Sequence, residues 1–149
     1  MINVTYEEYN DLIFKLADKV RDYDPTTIVC ISRGGLYLGN ALSIILKKPL
    51  AVISATSYNN NTQNNLVISK YIAHTSPIGN KILLVDDMSD TGVTLLAVRK
   101  KLLDELLNID YLLTATIWVK PKTTYIPTFY VSMLETEEWI VQPFETFDK

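Results

Sequence analysis

The sequence predicts an α/β fold with a mostly parallel central sheet flanked by helices on both faces. Three observations predict it. The runs at 27–31, 50–55, 81–86 and 111–119 are apolar almost without interruption, as in strands buried on both faces. Segments around them repeat apolar residues at three- and four-residue steps. The connections are short, so strand-helix-strand units follow one another, and such units place ligands beyond the carboxyl ends of parallel strands.

Each element has a local cause. Thr5-Tyr6-Glu7-Glu8 has the spacing of a capping box, and Tyr9, Leu12, Ile13, Leu16, Ala17 and Val20 form one apolar face. That helix stops at Asp22-Tyr23-Asp24-Pro25. A strand over 27–31 leads into Ser32-Arg33-Gly34-Gly35, a helix over 36–46 follows, Pro49 ends it, and 50–55 is the next strand. Residues 58–65 hold five asparagines without apolar rhythm and read as a mobile loop or hairpin tip before the 66–73 segment. A second unit comprises a strand at 81–86, a helix at 91–107 and a strand at 111–119.

The 149 residues match the usual size of one domain, about 150 residues, so a single domain over 1–149 is expected. Hydrophobic residues make up 48%, enough for a substantial core. Fourteen basic and 17 acidic residues leave a net charge of -3, which argues against nucleic acid as the main ligand. No apolar run approaches the roughly 20 residues that span a bilayer, and the N-terminus lacks a signal-peptide core. Cys30 is alone, which excludes an internal disulfide and a Cys/His metal cluster. These features read as a cytoplasmic protein without stable membrane insertion.

The chemistry concentrates at Asp86-Asp87-Met88-Ser89-Asp90-Thr91-Gly92-Val93-Thr94. Three carboxylates within five residues repel one another and call for a cation or hydroxyl donors. Thr91, Gly92 and Thr94 follow at the expected start of a helix, where free N–H groups and the helix dipole attract an anion. The acidic pair suits ribose hydroxyls and Mg²⁺, and the Thr/Gly turn suits a monophosphate. The plain alternative makes Asp90 or Thr91 a helix cap and leaves Asp86 and Asp87 as solvated charges.

An apolar strand ending in two acidic residues and running into Asp-Thr-Gly-x-Thr resembles the type I phosphoribosyltransferases; here it spans 82–94. Ser89 departs from that pattern, which usually has an aliphatic residue there. Ser32-Arg33-Gly34-Gly35-Leu36, Lys120-Pro121 and Trp139-Ile140-Val141-Gln142-Pro143 carry the resemblance across nearly the whole chain, most closely to bacterial xanthine-guanine phosphoribosyltransferases. It implies the type I fold with a small C-terminal base-binding hood, and a homodimer or homotetramer.

The implied reaction moves the 5-phosphoribosyl group of phosphoribosyl diphosphate to N9 of guanine, xanthine or hypoxanthine, with Mg²⁺, releasing diphosphate. By the same resemblance Ser32, Arg33, Gly34 and Gly35 hold the diphosphate, Arg33 stabilising it as it leaves. Asp86 and Asp87 hold the ribose hydroxyls and metal. Asp90 accepts the N7 proton, while Thr91, Gly92, Val93 and Thr94 grip the 5′-phosphate. Lys120 donates to the 6-oxo group, Trp139 stacks on the base, and carbonyls around Trp139 and Ile140 read its 2-position.

One departure favours a second reading. The loop at 57–65 lacks the basic residue such enzymes offer the diphosphate, and Lys70 lies well beyond it. Tyr58 matches the family and would shield the site from water. A non-catalytic regulator that binds a phosphoribosyl ligand or nucleotide is therefore the alternative. A phosphate-receiving signalling domain is rejected by chain order, since its acidic pair follows the first strand. His74 and Cys30 read as structural residues.

Overall fold

The computed structural model describes residues 1–58 and 65–147. In chain order the strands are β1 (Ile2–Asn3), β2 (Thr27–Ser32), β3 (Leu50–Ser57), β4 (Leu66–Ile68), β5 (Lys81–Val85), β6 (Met88–Ser89), β7 (Tyr111–Val119), β8 (Phe129–Met133) and β9 (Ile140–Val141). The helices are α1 (Tyr6–Val20), α2 (Leu36–Leu46) and α3 (Val93–Glu105). α1 starts at the expected capping box: the Thr5 amide donates to Glu8 Oε1 and the Glu8 amide to Thr5 Oγ1, both at 3.1 Å.

The central sheet runs β4-β3-β2-β5-β7, with β6 and β8 also paired to β7. Every pairing is parallel except β3 with β4. Helices cover both faces. α1 and α2 pack on one through Tyr9, Ile13, Leu16, Leu38 and Leu42 against Ile28, Cys30, Leu83 and Val85. α3 packs on the other through Leu95, Val98 and Leu102 against Val29, Ile31, Ile82 and Leu84. Successive β2 and β5 residues thus enter opposite cores, which is why those strands lack polar alternation.

Three differences from the sequence reading have clear causes. The last helix begins at Val93 rather than Thr91, because Gly92 at φ 88° turns the chain just before it, and it ends at Glu105. The 66–73 segment is interrupted: β4 pairs antiparallel with β3, and after a turn Ala73 makes only a bridge to Val52. No element was expected at 129–133, yet β8 lies parallel to β7 at Ala115↔Phe129 and Thr116↔Tyr130. The Asn-rich loop expected at 57–65 falls largely outside the described residues.

β1 and β9 form a separate parallel ladder, Ile2↔Ile140 and Asn3↔Val141, that carries the C-terminal segment toward the acidic turn. Phe144 anchors that segment, its ring 5.6 Å from Tyr9 and 6.2 Å from Tyr37. Among the described residues no helix is long and apolar enough to cross a membrane.

Cys30 is 0% exposed, and burial pushes its thiol up to about 11, with the Asp86 charge a lesser cause. The native protein at pH 8.5 is expected to resist iodoacetamide and to react on unfolding in urea; rapid native labelling would contradict this burial. The unfolded-state value lies near ~8.5. The neutral thiol's share of stability is therefore complete below that pH and is lost as the pH rises toward about 11.

Candidate functional site

The two turns read from the sequence meet. β2 and β5 are parallel neighbours, so their carboxyl ends open side by side. A Cβ on Gly34 would lie 2.7 Å from Asp87 Oδ2. One on Gly35 would lie 2.7 Å from the Ile31 carbonyl oxygen and 3.0 Å from that of Val85. Only residues without a side chain permit this approach.

The acidic dipeptide is built into the sheet. Asp86 N–H donates to the Ala115 carbonyl at 3.2 Å and Ile117 N–H to that of Asp87 at 3.0 Å, so the turn continues along β7 between β5 and β6. Within it the Asp87 amide donates to Asp86 Oδ1 at 2.9 Å and the Met88 amide to Asp87 Oδ1 at 2.8 Å. Loss of solvent, followed by the adjacent Asp87 charge, holds the Asp86 carboxyl well above the ordinary carboxylate range.

Asp87 borders three adjoining cavities. The first, about 190 Å³, is lined by Asp86, Asp87, Asp90, Thr91, Gly92 and Thr94. The second, about 320 Å³, lies between Arg33, Gly34, Asp87 and the 144–147 segment. The third, about 140 Å³, is enclosed by Asp87, Asp90, Lys120, Trp139, Ile140 and Gln142. Ser32, Gly35 and Val93 line none of these: Ser32 Oγ is hydrogen-bonded to Ser54 Oγ at 2.6 Å, Gly35 is wedged against backbone, and Val93 opens α3.

Gly92 at the amino end of α3 offers no side-chain cap; Thr91 Oγ1 accepts the Val93 amide at 3.3 Å, a partial cap, and Gly92, Thr94 and Leu95 border the first cavity. Such a helix end favours negative charge through its dipole and free amides. A second segment buttresses it. Thr124 N–H and Oγ1–H both donate to the Thr91 carbonyl, at 2.9 and 2.8 Å. Ser89 Oγ–H donates to the Tyr125 carbonyl at 2.7 Å and Oγ lies 2.8 Å from Thr123 Oγ1. The departure at Ser89 is thereby explained: the hydroxyl ties the acidic turn to the 123–125 segment. Ser89→Val is expected to cost about 1 kcal/mol, read as a lower urea midpoint at unchanged m, since the hydroxyl's two bonds are lost while Thr123 and Tyr125 remain bonded to each other. An unchanged midpoint would remove the buttress from the account.

Asp90 Oδ1 is buried without a hydrogen-bond donor, although Lys122 Nζ lies 3.4 Å away outside hydrogen-bonding alignment. Lys120, 4% exposed, donates from Nζ to the Glu137 carbonyl at 3.3 Å and to the Glu138 carbonyl, which leaves one of its three protons for a ligand. Trp139 is 64% exposed, and its carbonyl accepts Ile2 N–H at 2.8 Å. Of the two carbonyls expected to read a base, that of Trp139 thus also serves the β1–β9 ladder.

The residue that sequence reasoning missed is Gln142, quoted as part of a motif without a role; its Nε2 donates to Asp87 Oδ2 at 2.6 Å. Its signal was present but weak, because a neutral amide has no characteristic spacing.

A hard dication fits the acidic pair. The donors are carboxylate oxygens, and a positive charge would offset both the loss of solvent at Asp86 and the repulsion from Asp87. Among the described residues no group of three or more His, Cys, Asp or Glu side chains is arranged to hold a metal, so a dication at the acidic pair would need further oxygen ligands from outside the chain.

A family model of the phosphoribosyl transferase domain matches residues 5–147. The chain belongs to the phosphoribosyl transferase domain family. The phosphoribosyl transferase fold recurs in a purine phosphoribosyltransferase from Pyrococcus horikoshii at 35% identity and TM-score 0.82, with 96% of this chain and 92% of that one covered. A Helicobacter pylori xanthine-guanine-hypoxanthine phosphoribosyltransferase shares 27% identity at TM-score 0.84, over 98% and 94% of the two chains. An orotate phosphoribosyltransferase from Sulfurisphaera tokodaii is 32% identical over 90 residues, 60% of this phosphoribosyl transferase chain but 43% of that relative. The matched stretch is less than half the length of these curated relatives.

Proposed function

We propose that the protein transfers the 5-phosphoribosyl group of phosphoribosyl diphosphate to N9 of a 6-oxopurine, guanine, xanthine or hypoxanthine, and releases diphosphate. The observation that carries this reading is the convergence of the arginine turn and the acidic turn on Asp87, which borders all three cavities. The cavities divide the substrates by chemistry. The amino end of α3 with Thr91, Gly92 and Thr94 suits the 5′-phosphate. Arg33 and Gly34 suit the diphosphate, with a guanidinium fork and glycine backbone. The cavity of Lys120, Trp139 and Ile140 suits a flat base.

In this reading the glycosidic C1′ lies where the three spaces meet. As its bond to diphosphate breaks, negative charge grows on the departing oxygens beside Arg33, which is placed to stabilise it. Asp86 and Asp87 would hold Mg²⁺, which when bound would supply further neutralisation of the diphosphate charge. N9 of the base forms the new bond to C1′, and Asp90 Oδ1 receives the proton leaving N7. The remaining Lys120 proton meets the 6-oxo group, and the carbonyls around Trp139 and Ile140 read the 2-position, that of Trp139 with the lone pair its bond to Ile2 N–H leaves open.

The test is a panel of guanine, xanthine, hypoxanthine, adenine and orotate, each with phosphoribosyl diphosphate and Mg²⁺. Nucleotide from at least one 6-oxopurine and none from orotate is expected. Nucleotide from orotate alone would move the acceptor to a pyrimidine carboxylate. Donor binding without turnover of any base would select the non-catalytic regulator.

A further inference from the structure

Gln142 is 2% exposed and sits between β9 and the short helical turn Pro143–Phe147. Three features mark it out. Its Nε2 donates to Asp87 Oδ2 at 2.6 Å, a short, charge-assisted bond joining residues 55 positions apart. Its own backbone amide donates to Glu145 Oε2 at 3.0 Å, which holds the residue in register on the C-terminal segment. Its Oε1 is buried with no donor, so the contact with Asp87 alone sets which way the carboxamide faces. Exchanging the amide's two ends would place its oxygen against a carboxylate.

Asp87 is therefore aimed from two sides. Met88 N–H fixes Oδ1 from within the turn, and Gln142 fixes Oδ2 from the segment that also walls the base cavity. We infer that Gln142 is a positioning residue that couples occupancy of the base cavity to the aim of Asp87 at the ribose and Mg²⁺. This inference rests on the function proposed above and adds to it a physical link between the two substrate sites. Trp139, Ile140, Gln142 and Asp87 line one cavity, so a base seated there meets the same short segment whose amide orients Asp87. Groups that orient a metal-facing carboxylate typically govern affinity by about 10–100-fold.

The test compares wild type with Gln142→Met, which keeps the side chain's length and apolar stem but removes the donor. Calorimetry measures phosphoribosyl diphosphate binding with Mg²⁺, with and without a saturating 6-oxopurine, and Trp139 fluorescence reports the C-terminal segment. In Gln142→Met, donor affinity with Mg²⁺ is expected to fall about 10–100-fold, and prior base binding is expected to leave that affinity unchanged. In wild type, base binding shifts it. Free-protein fluorescence is expected to stay near wild type, with the urea midpoint lowered by no more than the loss of one hydrogen bond accounts for. Equal donor affinity in the two proteins overturns the inference, as does an undiminished effect of base in the variant. A red-shifted free-protein spectrum with a larger drop in midpoint also overturns it, by making Gln142 a structural tether only. Wild type that binds no donor at all overturns the proposed function itself, a distinct outcome.

Discussion

Asp90→Asn is expected to lower kcat by about 10²–10⁴-fold, the usual range for removing a positioned proton acceptor, while donor KM stays within a few-fold. Asp90 borders both the phosphate-side and the base-side cavities. Its Oδ1 is buried and receives no hydrogen bond, so this oxygen is kept as an acceptor for something the chain does not supply. Lys122 Nζ lies 3.4 Å away, within ion-pair range but without a hydrogen bond to this oxygen. Asn at this position preserves shape but presents no base. A loss confined to kcat separates a role in the transition state from one in ground-state binding. Steady-state kinetics with a 6-oxopurine decides the matter, and a variant within three-fold of wild type would remove Asp90 from the chemistry.

The second large effect is expected at Gly35. A Cβ there meets the Ile31 carbonyl oxygen at 2.7 Å, the Val85 carbonyl oxygen at 3.0 Å and Asp86 Cα at 3.2 Å. All three are backbone atoms of paired strands, so none can yield by a rotamer change. Overpacking a tight site typically costs about 1–3 kcal/mol, and a contact shared by two strand ends belongs at the top of that range. Gly35→Ala is therefore expected to lower the urea midpoint substantially and to abolish donor binding, because its relief pushes the arginine and acidic turns apart. Gly34→Ala is the informative comparison. The nearest atoms to its Cβ belong to the Asp87 carboxyl group, a side chain whose displacement costs its bonds to Met88 N–H and Gln142 Nε2 but leaves the strand ends in place, so this variant is expected to lose donor affinity with a smaller drop in midpoint than Gly35→Ala. Near-wild-type stability in Gly35→Ala would show that the two turns tolerate separation.

The degree of legibility followed the range of the interactions concerned. α1 was readable from Thr5 and Glu8 because a capping box joins residues three apart, and α2 was readable over 36–46 because an apolar run is bounded by Gly35 and Pro49. β8 was not, since its residues are partly exposed at an edge and pair with β7 more than ten positions earlier in the chain. At the candidate site, the positions of Arg33, Asp86, Asp87, Asp90, Thr91 and Thr94 could be anticipated, because each follows a strand whose end the apolar pattern marks. Lys120 and Trp139 were found by resemblance, but the sharing of the Lys120 ammonium between two carbonyls was not. Ser89 stood out only as a departure, and its bonds to Thr123 and Tyr125 became visible when the 120–125 segment was seen to fold back on it.

The sequence by itself determined which strands are buried on both faces, where the helices begin, and that one turn carries acid and phosphate-binding groups together. These are consequences of spacings of two to five residues, which the local geometry of strands, helices and turns converts directly into faces and ends. Only the tertiary structure decided that Gly34 lies against Asp87, that the Trp139 carbonyl accepts Ile2 N–H, and that Gln142 reaches the acidic turn. Those contacts span 53, 137 and 55 positions of sequence. They depend on how the sheet orders its strands and how the C-terminal segment is laid across it, and no local spacing encodes that.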